Sequence, residues 1–316
     1  MSACVARGLT KRFGDTLAVD RASIDVPRGA VYGLLGPDGA GKSTFIRMLV
    51  TVLRPDDGDA LVFGESVRSA PARVTPRIGY MSQQFSMYPD LTVAQNIDFF
   101  ATMRGVPRAQ RRERGARLLE SMALAEFADR QAGRLSGGMK QKLMLATTLM
   151  HSPDLLLLDE PTTGVDPVSR REFWRILADL RREGTTVLVA TPYMDEAQRC
   201  TDIAFMDGGR IRHEGTPAQI AALVPGTLLE VSVSAGERRA ARDALAAAPR
   251  IAGAHLHGAV VRALARAEEP AAAERDVRET LAGAGLRAEA VTPVAVDMEA
   301  AFAVLAERAR DREPAA

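Results

Sequence analysis

The stretch Gly36-Pro37-Asp38-Gly39-Ala40-Gly41-Lys42-Ser43-Thr44 follows an apolar run, Ala30 to Leu35, and precedes another, Phe45 to Val52. This pattern constrains the fold because a buried strand must end and a helix begin across one glycine-rich turn. In a strand–loop–helix of this kind the loop amides point inward and the new helix offers its positive end. Polyphosphate oxygens are then held by backbone N–H groups. The glycines let main chain approach where a Cβ would clash. Lys42 is spaced to reach the β- and γ-phosphates, and the Ser43 hydroxyl to ligate Mg2+. The loop predicts a nucleotide-binding α/β domain.

Alternating signals support an α/β domain with a largely parallel sheet. Residues 1–35 read as short strands punctuated by Gly14-Asp15 and Pro27-Arg28-Gly29, and strand signals recur at Ala60–Phe63 and Arg77–Met81. From about 92 to 131 the pattern is helical, and a further helix carries Met139, Leu143, Ala146 and Met150 on one face. Leu155-Leu156-Leu157-Leu158 and Val187-Leu188-Val189-Ala190 are continuous apolar runs, as in parallel strands buried on both faces. Composition shifts near Pro225-Gly226 to an Ala- and Arg-rich remainder. There the pattern predicts strand 227–234, helix 236–247, strands near 251–257 and 259–264, helix 270–284, strand 286–292 and helix 297–309. That β-α-β-β-α-β order suggests a small ferredoxin-like α+β domain. The expected domains are 1–224, with a helical part at about 92–150, and 225–310, followed by a tail at 311–316.

Bulk properties narrow the function. The chain has 316 residues, and its formal net charge of +1 gives no support for a nucleic-acid partner, which favours a basic excess. No apolar run approaches the ~18–20 residues of a membrane span, and the first residues lack the apolar core of a secretory signal. Cys4 and Cys200 are far apart and form no metal spacing, which suits a reducing compartment.

Two further clusters carry chemistry. Asp159-Glu160 follow the four leucines, at the strand end where ligands bind in open α/β sheets. Asp159 is suited to Mg2+, and Glu160 to orienting or deprotonating an attacking water. Ser136, in Leu135-Ser136-Gly137-Gly138-Met139-Lys140-Gln141, reads as an N-cap, and the glycines bare the amides for an anion.

With these motifs in this order, residues 3–224 resemble the ATP-binding cassette (ABC) ATPases, the nucleotide-hydrolysing subunits of ABC transporters. Residues 36–44 resemble Walker A, Leu135–Gln141 the family signature in its LSGGM form, Leu155–Glu160 Walker B, and Gly164-Val165-Asp166 the D-loop. Ile78-Gly79-Tyr80-Met81-Ser82-Gln83 resembles the Q-loop, with Gln83 the first choice for the Mg2+ and water contact and Gln84 the second. Phe13 matches the aromatic that stacks on adenine. The resemblance implies the cassette fold: a largely parallel sheet with antiparallel β and helical subdomains. It also implies ATP and Mg2+ as cofactors. By the same resemblance, ATP would be bound by Phe13, the 36–44 loop and, on a partner cassette, Ser136, Gly137 and Gly138. Ser43, Gln83 and Asp159 would hold the metal, and Lys42, Gln83 and Glu160 would serve hydrolysis. Two cassettes face each other, so a second one, identical or different, is implied. An integral membrane permease is implied too, met through Phe85–Val93, which puts the chain at the cytoplasmic face of the membrane. The tail, with Met298-Glu299-Ala300-Ala301-Phe302, resembles the accessory domain of ABC-2-type exporter ATPases.

One position departs from the pattern. Where the family carries a switch histidine after strand 187–190, this chain has Thr191-Pro192-Tyr193-Met194-Asp195-Glu196. Proline offers neither an N–H nor a side-chain donor. The four histidines, His151, His213, His255 and His257, lie elsewhere in sequence. Asp38 and Pro192 together resemble the first half of tandem-cassette exporters, where one ATP site is weak; a homodimer with two impaired sites is the other possibility. The reading is an ATPase subunit of an ABC-2-type exporter. Its rivals are a regulatory, poorly hydrolysing cassette in a heterodimer and a non-transport ABC protein.

Overall fold

Alternating burial along Ser2 to Pro27 builds two antiparallel strands, β1 (Ser2–Phe13) and β2 (Thr16–Pro27), joined at Gly14-Asp15. The sequence predicts short strands here; the structure has two of 12 residues each, because pairing irregularities between Ala6 and Lys11 bend the ladder without ending it. The computed structural model describes residues 1–311. There follow β3 (Val31–Leu35), α1 (Lys42–Leu49), β4 (Asp57–Val62), β5 (Glu65–Ser66), α2 (Pro71–Val74) and β6 (Ile78–Met81). Next come α3 (Val93–Met103), α4 (Arg108–Ser121), α5 (Gly137–Leu149), β7 (Leu155–Asp159), α6 (Pro167–Arg182) and β8 (Thr186–Thr191). Then α7 (Met194–Ala197), β9 (Asp202–Asp207) and β10 (Arg210–Gly215) close this part.

Two sheets sandwich α1. One has the order β2-β1-β4-β5; the other, β10-β9-β3-β8-β7-β6, is parallel across β9, β3, β8, β7 and β6. Every residue of β3, β7 and β8 is buried, which is why these strands read as unbroken apolar runs. Phe45, Ile46, Met48 and Leu49 of α1 pack into one core with Leu9, Ile24 and Val62 of the first sheet and Leu34, Leu157 and Leu188 of the second. That core fixes the helix, and with it the loop at its start. Register aligns the strand ends on one edge: Leu35 pairs with Thr191, Asp159 with Ala190, and Met81 with Leu158.

α3, α4 and α5 pack on one another. The single apolar face expected for α5 is wider: Met144, Leu145, Thr147 and Leu149 are buried beside Leu143 and Ala146. The helix touches α3, α4, α6 and β6, so most of its circumference lies against protein.

The chain divides into two compact units, Met1–Glu214 and a second beginning at Gly215. The expected division at 224 falls later, where the composition shifts; α8 (Pro217–Ala221) packs against α11 (Met298–Asp311) and so goes with the second unit. Between them run β11 (Thr227–Ser232), α9 (Arg238–Ala246), β12 (Ile251–His257), β13 (Val260–Ala265), α10 (Pro270–Gly283) and β14 (Ala290–Val294). The strands form an antiparallel sheet of order β12-β13-β11-β14, the ferredoxin-like arrangement. Leu229, Val231, Val261 and Ala263 on one face pack with Ala241 and Leu245 of α9 and Val277 and Leu281 of α10. The last strand sits later than the predicted 286–292, because Gly285 turns the chain at φ +72 and the ladder with β11 starts at Ala290. Of the tail expected at 311–316, the residues from 312 on lie outside those described.

Candidate functional site

The loop between β3 and α1 is built by close approach. A Cβ on Gly36 would lie 2.1 Å from the Met206 carbonyl oxygen, and one on Gly41 would lie 2.3 Å from that of Ala18. Gly41 also has φ +101, a conformation that disfavours any other residue, and it caps α1 without a side-chain hydrogen bond. The first turn of α1 carries no acidic residue. Its amides are therefore free to serve an anion. Pro37, Thr44 and Ser43 are half-buried, Ala40 is buried, and Asp38 and Gly39 form the exposed apex.

Lys42 is 3% exposed, and its Nζ donates to the carbonyls of Gly36 and Pro37, both at 2.9 Å. The same ammonium lies 3.6 Å from Glu160 Oε1. Ser43 Oγ donates to Asp159 Oδ1 at 2.8 Å, joining the start of α1 to the end of β7. Glu160 Oε2 accepts from Gln83 Nε2 at 2.8 Å and from Thr163 Oγ1 at 3.2 Å. Gln83 is thus the one of the two glutamines that meets the cluster, and it does so at Glu160. Glu160 adopts φ +50, a strained conformation for a residue with a side chain, and its N–H donates to Ala190 O at 2.9 Å. The chain turns sharply there and presents the carboxylate at the edge.

Burial pushes the Asp159 carboxyl above the usual range; the Ser43 hydrogen bond pulls it down, and the Glu160 charge pushes it up again. Among the described residues Asp159 Oδ2 is buried with no hydrogen-bond partner. A partnerless carboxylate oxygen beside a hydroxyl fits a hard, oxygen-seeking cation such as Mg2+.

The other predicted residues sit apart from this cluster. Ser136 caps α5, accepting from Met139 N at 3.3 Å. A Cβ on Gly138 would lie 2.5 Å from Ser169, and one on Gly137 would lie 3.8 Å from the Gly164 carbonyl. These three residues therefore lie beside the start of α6. Asp166 caps α6, accepting from Val168 N and Ser169 N, each at 3.0 Å; the Ser169 hydroxyl and these backbone bonds hold its carboxyl below the usual range. Phe13 ends β1, 50% exposed, with Lys11 Nζ 5.7 Å from its ring centre.

Sequence reasoning missed a buried strut. Glu196 is fully buried, and its carboxylate accepts from Thr162 Oγ1 and Thr191 Oγ1, both at 2.6 Å. Arg170 of α6 lies 3.9 Å from it and stacks over the Tyr193 ring at 4.2 Å. One side chain thus ties the segment after Glu160 to the segment around Pro192. Nothing local in the sequence marks Glu196, because its partners are Thr162, three residues beyond β7, and Thr191, the last residue of β8.

The chain is similar to known proteins in sequence and in fold. A family model described as ABC transporter matches residues 19–163. The probable multidrug ABC transporter ATP-binding protein YbhF of Escherichia coli (strain K12) is 42% identical over 264 residues, 83% of this chain and 46% of that protein. The chain therefore spans less than half of that relative. The daunorubicin/doxorubicin resistance ATP-binding protein DrrA of Streptomyces peucetius is 43% identical over 242 residues, 76% of this chain and 73% of that protein. Among solved structures, cbiO1 from Clostridium perfringens, described as part of the ABC transporter complex cbiONQ, superposes with a TM-score of 0.65. It has 27% identity over 70% of this chain and 91% of its own.

Proposed function

Because this chain belongs to the ABC transporter family of cassette ATPases, we propose that it energises an ABC-2-type exporter as one member of a cassette pair. The observation that carries the reading is the convergence of Lys42, Ser43, Gln83, Asp159 and Glu160 on one sheet edge. The multidrug and drug-resistance relatives support the exporter class.

Loop amides and Lys42 bind the phosphates, the ammonium exchanging loop carbonyls for phosphate oxygens. Ser43 and Asp159 would hold Mg2+, which when bound neutralises charge developing on the phosphates. Glu160, held by Gln83 and Thr163, orients the attacking water and takes its proton. Phe13 offers an exposed ring for adenine. Ser136, Gly137 and Gly138 serve the ATP of the partner cassette. Tyr88, exposed and packed edge-on against Phe99 at 4.7 Å, supplies a surface for a membrane permease, which brings the chain to the cytoplasmic face of the membrane. No helix among the described residues is long and apolar enough to cross a membrane itself.

Pro192 favours a second cassette of different sequence, which supplies the donor this chain lacks. The test is ATP turnover by the purified chain across a range of protein concentrations, alongside ATP binding. Binding without turnover at any concentration supports the mixed pair; turnover rising faster than concentration means a competent homodimer. At the site built on this chain's own 36–44 loop, Glu160→Gln keeps ATP binding and lowers turnover at least about 10²-fold. Unchanged turnover at that site, measured with the partner's site disabled or in a homodimer, would remove Glu160 from the mechanism.

A further inference from the structure

The second unit carries a side-chain cluster that the nucleotide site does not use. His255 and His257 are two residues apart on β12 and so project from the same face of the sheet. Asp297 lies just ahead of α11. One ligand atom from each of the three lies within 4.8 Å of the other two. His255 is half-buried, and its Nε2 is buried without a hydrogen-bond partner among the described residues. His257 is exposed and Asp297 half-buried.

Neighbours hold the carboxylate in position. Asp297 Oδ1 accepts from Ala300 N at 2.7 Å, and Oδ2 is paired with Arg262. Arg262 also bonds Glu230 Oε1 at 2.6 Å, and in the ladder it lies opposite both His255 and Glu230. Two carboxylates share one guanidinium, so the group keeps one uncompensated negative charge next to the imidazoles. Oriented carboxylates of this kind are what metal ligands need from their surroundings.

We propose that His255, His257 and Asp297 bind a borderline divalent transition ion, such as Zn2+, Co2+ or Ni2+. Two imidazoles and a carboxylate suit these ions, whereas Mg2+ prefers all-oxygen sites such as Ser43 with Asp159. Ligand atoms around a tetrahedral ion stand about 3.4 Å apart, so binding needs only a modest turn of the exposed His257 side chain. The bound ion joins the β12–β13 hairpin to the start of α11 and stabilises the second unit.

The test is a titration of the untagged 316-residue chain with Zn2+ and with Co2+, in excess Mg2+ so that the oxygen site is occupied. Cys4 and Cys200 do not compete, because both are buried and burial pushes both thiols up. The expected result is one ion per chain, with a melting temperature that rises with metal concentration. His257→Ala, chosen because the side chain is exposed, weakens binding at least about tenfold and leaves metal-free stability and ATP binding unchanged. Absence of saturable binding overturns the proposal, as does equal binding by the His255→Ala/His257→Ala double variant.

Discussion

β7 and β8 are neighbours in one parallel sheet and stop at the same edge, yet they end in different chemistry. β7 ends in Asp159 and Glu160, whose oxygens meet Ser43, Lys42 and Gln83. β8 ends in Thr191 and Pro192. The Thr191 hydroxyl is turned to Glu196, and the proline offers no donor. Thr191 pairs with Leu35, immediately before the phosphate loop, so Pro192 stands next to the place where β3 gives way to that loop. The fold supplies equivalent positions at adjacent strand ends, and residue identity decides which of them carries a carboxylate cluster.

The sharpest way to break this comparison is to restore the missing donor. Removing a donor aimed at developing charge costs roughly 10²–10³ in rate, so Pro192→His is expected to raise turnover at this chain's own Walker A site by about tenfold or more. No rise in a well-folded cassette pair would show the β8 end to be idle. Next in size is Glu196, which joins the two ends. Glu196→Ala strands two buried hydroxyls and part of the Arg170 charge, and is expected to lower unfolding free energy by about 3 kcal/mol in urea titrations. If turnover by the remaining folded protein is unaltered, the two ends act independently; if it falls further than the folded fraction, Glu196 positions both.

The smallest effect belongs to the opposite edge of the sheet and serves as a control. His151 donates Nε2 to Ile78 O at 2.8 Å at the start of β6, and its Nδ1 is buried without a partner among the described residues. Burial holds this imidazole below its ordinary 6.5, the Ile78 bond pulls it back up, and Arg104 and Arg114 push it down further. The unfolded chain therefore takes up a proton that the folded chain resists, so the His151 contribution is present above about pH 6.5 and is lost as pH falls below it. His151→Gln should flatten the stability profile in that acid window without altering turnover per folded molecule. A change in turnover would mean that the far edge reaches the site.

Much of the site was readable because its pieces are local. A glycine-rich turn needs its glycines adjacent, and a strand buried on both faces declares itself in Leu155–Leu158. Ser136 was readable as a cap because capping acts over three residues, here to Met139. What stayed hidden depends on distant partners. Sequence ranked Gln83 ahead of Gln84, but only the fold shows that the Gln83 amide donates to Glu160. Helix α5 reads as amphipathic, but neighbours on several sides bury it more fully. Glu196 gave no local sign of burial, because its partners are threonines at the ends of two different segments.

By itself the sequence determined the alternation of the main strands and helices, the glycine-rich loop, the carboxylate pair and the absence of a side-chain donor at Pro192. Each follows from residue type and short-range spacing. Tertiary structure alone decided that Ser43 meets Asp159, that Lys42 and Gln83 share Glu160, and that His255, His257 and Asp297 come together. Those meetings depend on strand order and register, which arise when separate segments bury their apolar faces against one another and which no local pattern encodes.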